Sequence, residues 1–236
     1  MPNVAIAIKT ALRKDGLDYL GPTLRNLKRS SPSLAGVHSL WVSHTEGPLE
    51  RLFEDGRAEV VDTAEAPLTL HQNAARAIRV TANAGATWAL VLEDDLDFCA
   101  DFVGSLLRWL RDHTRADRLM YVFGANYSQL KVCMMHGLAS WDYPVKAFYG
   151  AQACAWRTED ALQLAEWLGP NPSYGGVTDH GHDLLLQKWG KGRGLTYFLA
   201  AAPSFVEHVG RASGIGNRYF HFPTWPGRRW TYQGRA

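Results

Sequence analysis

The feature that most constrains this 236-residue chain is the stretch Trp88-Ala-Leu-Val-Leu-Glu-Asp-Asp-Leu-Asp97, an apolar run of strand character that stops at three consecutive carboxylates, Glu93, Asp94 and Asp95. Adjacent carboxylates repel one another, so a fold that gathers them at a strand end usually has a cation to hold. Hard oxygen ligands suit magnesium or manganese. The competing reading is a solvated acidic turn in which Asp97 or Asp101 caps a helix over Phe102–Arg111. Placement at the end of a buried strand favours the metal.

The rest of the chain alternates between strand and helix patterns. Val4–Ile8 reads as a buried strand, Leu17–Leu27 as a first helix, His38–Ser43 and Ala58–Val61 as further strands joined by a Gly/Pro-containing connection, and Leu70–Ala84 as an alanine-rich helix before Trp88–Leu92. Leu106–Arg111 continues a helix and Leu119–Phe123 a strand, while 127–141 is irregular and its Cys133-Met134-Met135-His136 run has no evident role. Ala147–Trp156 reads as a strand pair around Gly150. It is followed by a helix Thr158–Leu168 with Thr158 as N-cap, a loop Gly169–Gly176, a helix Asp179–Trp189 and a strand Leu195–Leu199. This order predicts an α/β fold: one domain with a mainly parallel central sheet flanked by helices, whose ligands lie beyond the carboxyl ends of the strands. The acidic cluster sits at such an end, in an expected solvent-facing turn.

Composition narrows the function classes. The segment Met1–Lys9 has too short an apolar run and no basic region for a signal peptide, and no later run reaches membrane-spanning length, so the expectation is a cytoplasmic protein with no membrane insertion. Cys99, Cys133 and Cys154 lack the spacing of a zinc or redox motif and read as reduced core residues. A formal net charge of +2 excludes a wholesale basic coat, but no Asp or Glu follows Glu207. That tail carries Arg211, Arg218, Arg228, Arg229 and Arg235 among Tyr219, Phe220, Phe222, Trp225, Trp230 and Tyr232, a mixture able to meet phosphates and flat rings. No protein partner is indicated.

Leu92-Glu93-Asp94-Asp95-Leu96, followed by an aromatic-rich helix, resembles the acidic DXD-type motif of GT-A glycosyltransferases, particularly the Golgi N-acetylglucosaminyltransferase I family, whose motif is also Glu-Asp-Asp. The resemblance implies a Rossmann-like GT-A domain, a UDP-sugar donor and a Mn2+ or Mg2+ cofactor. It implies Asp95 as metal ligand and Glu93 and Asp94 as donor contacts. Many GT-A enzymes, though not that Golgi family, add a histidine near the C-terminus, which here is His208. The Gly210, Arg211 and Ser213 that follow it could approach a diphosphate closely. The same resemblance carries nucleotide contacts onto Thr10, Arg13, Asp62 and Arg76, places Tyr149, Gly150 and Gln152 near the sugar pocket, and makes Asp183 the base of an inverting reaction. Asp179 is the better N-cap, with a swap of the two roles left open, and His180 and His182 fit structural or acceptor-contact roles. The implied division is 1–126 for the nucleotide sugar, 127–207 for the acceptor and 208–236 as tail.

Two other classes compete. A sugar nucleotidyltransferase needs a glycine-rich loop after the first strand, where this chain reads Lys9-Thr-Ala-Leu-Arg-Lys-Asp-Gly16. A non-catalytic sugar or nucleotide binder explains the aromatic tail but not the Glu-Asp-Asp cluster together with His208. For the acceptor, the acid-free tail inclines toward a hydroxymethylated pyrimidine in DNA over a glycan or lipid-linked sugar of a surface polymer. A tail that merely wraps the domain is the plain alternative.

Overall fold

The computed structural model describes residues 2–12, 18–124, 128–169, 182–210 and 225–234. In chain order its elements are β1 (Val4–Thr10), α1 (Leu20–Ser30), β2 (Val37–His44), β3 (Pro48–Leu52), β4 (Ala58–Thr63), α2 (Leu70–Ala82), β5 (Trp88–Glu93), β6 (Leu96–Phe98), α3 (Phe102–His113), β7 (Tyr121–Val122), α4 (Ser128–Met135), β8 (Ser140–Pro144), β9 (Ala153–Arg157), α5 (Thr158–Leu168), α6 (His182–Gly192), β10 (Tyr197–Ala201) and β11 (Val206–His208). β1 is the centre because Val4-Ala-Ile-Ala-Ile8 is buried throughout, as a strand covered on both faces must be. Its residues divide by twos. Val4, Ile6 and Ile8 join one core with Phe102, Trp109, Phe123 and Phe205, while Ala7 joins the other with Ala77, Trp156, Leu186 and Trp189.

The described residues form a nine-stranded sheet of order β4-β3-β2-β1-β5-β9-β7-β10-β8. Its parallel parts are β2-β1-β5 and β7-β10. β9 runs antiparallel between β5 and β7, and β3, β4 and β8 are antiparallel additions at the edges. The helices flank this mixed sheet, in one α/β unit. Among the described residues no helix is long and apolar enough to cross a membrane, and Cys99, Cys133 and Cys154 are buried free thiols.

Several local expectations are corrected. The connection before β4 contains a strand, β3, disguised by Pro48 and by charged Glu50 and Arg51 on a partly exposed hairpin. The strand pair around Gly150 does not form: Val145–Ala147 is a 3-10 turn, and the strand β8 lies earlier, partly in the stretch read as irregular. The Cys133-Met134-Met135 run is on α4. Thr158 is the first residue of α5 and not its cap, because its hydroxyl donates to the Ala86 carbonyl at 2.6 Å. Asp101 is at the N-cap of α3 with a left-handed φ of 46° and no capping side-chain bond. The Ser30 and Ser31 hydroxyls accept instead from the Phe102 and Val103 N–H groups, each at 3.1 Å, so α1 caps α3.

A second, small sheet pairs β6 with β11 antiparallel. Residues 225–234 lie against it: the Ala100 N–H donates to the Trp230 carbonyl at 2.9 Å, and Trp230 meets Phe205 edge to face at 5.1 Å. Tyr232 is buried, its N–H donating to Ser105 Oγ and its carbonyl accepting from Arg108. The turn between β5 and β6 is fixed from α1 by Thr23, whose hydroxyl donates to the Asp94 carbonyl at 2.6 Å and accepts from the Leu96 N–H at 2.9 Å. Thr23→Val keeps the shape but leaves both buried groups unmet, and is expected to destabilise the fold by about 1–3 kcal/mol in denaturant unfolding.

Candidate metal centre and active site

The period-two alternation of β1 and β5 continues past the last core residues and sorts the polar ones. Thr10, on the Ile8 side, donates its hydroxyl to Asp94 Oδ2 at 2.6 Å, so the buried Asp94 is tied to the end of β1. Lys9, on the Ala7 side, is the register partner of Glu93, and Lys9 Nζ stands 2.9 Å from Glu93 Oε1. Asp94 thus serves the turn, whereas Glu93 faces the other way.

Asp95 meets His208 because β6 pairs with β11 and sets Leu96 opposite His208, with the Val209 N–H donating to the Asp95 carbonyl at 2.9 Å. His208 Nε2 is 2.9 Å from Asp95 Oδ2 and 3.7 Å from Glu93 Oε2. All three residues offer ligand atoms lying within 4.8 Å of one another. Two ligands bonded at roughly 2.1 Å in neighbouring octahedral positions are about 3 Å apart, so the spacing fits a divalent ion. Two carboxylates and an imidazole suit Mn2+ or Mg2+, the imidazole favouring the transition ion. Asp95 is 0% exposed, which corrects the expected solvent-facing turn. Gly210 closes the site from behind: a Cβ there would collide with Asp95 Oδ2 and lie 3.0 Å from Asp95 Cγ. Only glycine lets the backbone pass so close.

The start of α6 abuts this cluster. His182 Nδ1 is 3.3 Å from Lys9 Nζ, and the next residue, Asp183, is buried. Asp183 Oδ1 accepts from the Ala151 N–H at 2.9 Å and Oδ2 from the Gly150 N–H at 3.1 Å. Burial raises the Asp183 pKa, the two N–H bonds and Lys9 oppose that, and the Glu93 charge adds to it; the net direction is upward. His182 is driven the other way by burial, Lys9 and His71, and is neutral. Burial, reinforced by Asp183 and Glu93 and opposed by Lys9, holds the Cys154 thiol well above its usual range, so Cys154 is an inert wall of the site.

The other expected contacts are placed less centrally. Arg76 and Asp62 hold each other, with Arg76 Nη2 3.0 Å from Asp62 Oδ2 and a second Arg76 nitrogen donating to the Gly47 carbonyl at 3.3 Å. Asp62 is on β4, four strand spacings from β5, about 19 Å at ~4.8 Å each. The α2 residue that reaches the end of β1 is Asn73, which donates to the Thr10 carbonyl and accepts from Ser43. Tyr149 is exposed and Gln152 buried, its carbonyl accepting from the Glu93 N–H. Arg13, Asp179, His180, Arg211 and Ser213 lie outside the described residues. Sequence reasoning named Lys9 beside Thr10 and Arg13 at the end of the first strand without giving it a role, and passed over Thr23. Lys9 is a lone cation and the sixth residue of its apolar central strand, as Glu93 is of β5.

No protein-family model and no curated protein sequence matches the chain. Among solved structures it is similar to a glycosyltransferase involved in the glycosylation of the major capsid of PBCV-1, at 11% identity and a TM-score of 0.48 over 86% of this chain and 83% of that one. It is similar also to a Drosophila beta-1,4-galactosyltransferase 7 variant in complex with manganese, UDP-Gal and xylobiose, at 9% identity and a TM-score of 0.48 over 88% of this chain and 72% of that one. A third is CMP:2-keto-3-deoxy-manno-octonic acid synthetase complexed with CTP, at 13% identity and a TM-score of 0.45 over 86% and 92% of the two chains.

Gly210→Ala is the sharpest probe of the cluster, because it displaces Asp95 without removing a ligand. Mn2+ affinity, followed by the free-ion EPR signal, is expected to fall about tenfold or more.

Proposed function

We propose that this chain is a metal-dependent, inverting glycosyltransferase that moves a sugar from a UDP-sugar to an acceptor hydroxyl. The observation that carries the reading is the convergence, at the carboxyl end of β5, of the Glu93, Asp95 and His208 donor set with a buried carboxylate, Asp183, whose two oxygens are oriented by backbone N–H groups. A Mn2+ or Mg2+ ion held by Asp95 and His208, with Glu93, would neutralise charge on the departing diphosphate. A non-catalytic binder has no use for the second carboxylate, and a nucleotidyltransferase has no need of a base at this position.

In this reading Asp183 takes the acceptor proton. Each of its oxygens keeps an acceptor site beyond the one used by Gly150 or Ala151, and burial makes the carboxylate a stronger base than one in water. The acceptor oxygen bonds to the anomeric carbon, the bond from that carbon to the diphosphate oxygen breaks, and the proton stays on Asp183. Thr10, Arg13, Asp62 and Arg76 are assigned to the nucleotide, with Asp94 fixing the turn beneath it and Arg211 and Ser213 reaching the diphosphate.

The acceptor turns on the tail. A 5-hydroxymethylpyrimidine in DNA is the acceptor suggested by the acid-free C-terminal stretch. Against it, Trp230 and Tyr232 pack on the domain and Arg228 pairs with Asp97, so these three serve the fold. A glycan or lipid-linked sugar is therefore the acceptor we favour.

Five measurements test these assignments. Asp95→Asn, which keeps the buried shape, should abolish transfer and metal-dependent hydrolysis of UDP-sugar; full activity there, or in excess chelator, removes the reading. Asp183→Asn should lose turnover and keep UDP-sugar affinity. Turnover of the native enzyme should fall as pH drops through the Asp183 pKa, which burial raises above its ordinary value, and the product should show an inverted anomeric centre by NMR. For the acceptor, duplex DNA binding whose affinity falls with log salt at roughly 0.7–0.9 per phosphate contact would restore the DNA reading, and its absence at low salt would leave the glycan.

A further inference from the structure

The described structure places one cation between the candidate metal cluster and the candidate base, and neither role has used it. Lys9 is largely buried, with its side chain 12% exposed. Its ammonium stands 2.9 Å from Glu93 Oε1 and 3.3 Å from His182 Nδ1. Glu93 presents its other oxygen, Oε2, to His208 at 3.7 Å. One ammonium therefore touches both a cluster carboxylate and the residue directly before Asp183.

A helix start does not attract a lysine. The N-terminus of α6 carries the positive end of the helix dipole, so a cation there is opposed by the backbone. What compensates is the Glu93 carboxylate at 2.9 Å, with a longer-range attraction to the buried Asp183, whose charge and that of Glu93 oppose each other. The contact also selects a tautomer. With Nδ1 accepting from an ammonium that has only donors, His182 carries its proton on Nε2.

Resting on the transferase reading, we propose that Lys9 is the positioning residue that ties the cluster carboxylate Glu93 to the start of α6 and so sets where Asp183 stands relative to the donor. Lys9 holds Glu93 by one oxygen, which turns the other toward His208. It holds His182 by Nδ1, which docks the helix that carries the base. The groups facing Asp183 are Glu93, Lys9 and Cys154 from three neighbouring strands, with the Gly150 and Ala151 N–H groups and its own neighbour His182.

The test is Lys9→Met, with Lys9→Arg beside it. Removing a positive charge next to the cluster does not weaken the attraction for a cation, so Lys9→Met should bind Mn2+ as tightly as the native protein or more tightly by EPR. Turnover should fall about tenfold or more, as for a misplaced catalytic group. The acid limb of its pH profile should move to higher pH, because the charge that favours ionised Asp183 is gone. Lys9→Arg should recover part of the turnover and return the acid limb toward its native place. Native turnover and an unshifted limb in Lys9→Met would overturn the proposal. So would loss of Mn2+ binding together with the thermal transition, which marks a merely structural lysine. Failure of the transferase reading is separate and shows in the native protein, as no Mn2+ binding or no hydrolysis of UDP-sugar.

Discussion

The pairing of two three-residue strands, β6 with β11, is the constraint on which the site depends. It joins segments more than a hundred residues apart and does three things in as many residue pairs. It sets His208 beside the turn that carries Asp95, it brings Gly210 against the Asp95 carboxylate, and it places Asp97 where Arg29 and Arg228 reach it at 3.3 and 2.5 Å. A two-stranded sheet this short is not stable by itself. It is held by Phe98 and Phe205 in the aromatic core with Phe102, Trp109 and Phe123, and by the C-terminal segment packing Trp230 and Tyr232 over it. The described C-terminal segment, residues 225–234, thus supports the candidate metal cluster through β6 and β11.

Burying Asp94, Asp95 and Asp97 within four residues would be untenable if they shared one environment. Each has a different partner: the Thr10 hydroxyl for Asp94, His208 for Asp95, and two guanidinium groups for Asp97. Among the described residues, Asp95 is the one of the three grouped with an imidazole and a second carboxylate. That difference in partners, more than the triplet of acids itself, marks Asp95 as the place for a cation.

The central strands and the acidic turn were legible because β1 and β5 are continuous apolar runs and their ends are abrupt. Asp95, His208 and Asp183 were legible as chemistry. Their convergence was not, since β6 and β11 are three residues long and their pairing is set by tertiary packing that no local period records. Of the exposed hairpin, β4 was read at Ala58–Val61 and β3 was not, because Pro48 and the charged Glu50 and Arg51 leave no apolar run or clean alternation there. Asp62 and Arg76 were read as separate donor contacts, whereas the structure joins them as an ion pair, a relation that residues chosen one by one do not reveal. The basic aromatic tail was read from composition, which cannot say which way a side chain faces; among its described residues Trp230 and Tyr232 pack on the domain.

The alternation of β1 and β5 also explains why Glu93 stands apart from the two acids that follow it. Thr10 and Asp94 fall on the side of Ile8 and Leu92, toward α1, and serve the turn. Lys9 and Glu93 fall on the side of Ala7 and Val91, toward α6. Glu93 therefore reaches two partners on different elements, with Oε1 on Lys9 and Oε2 near His208. A glutamate suits this position better than an aspartate, because the extra methylene lets the two oxygens span partners lying on different elements. An aspartate at 93 would sit closer to the strand end and could hold one partner only by releasing the other. The order Glu-Asp-Asp, in place of three aspartates, then fits the geometry: the long acid bridges Lys9 and His208, the middle one bonds to Thr10, and the last one meets His208.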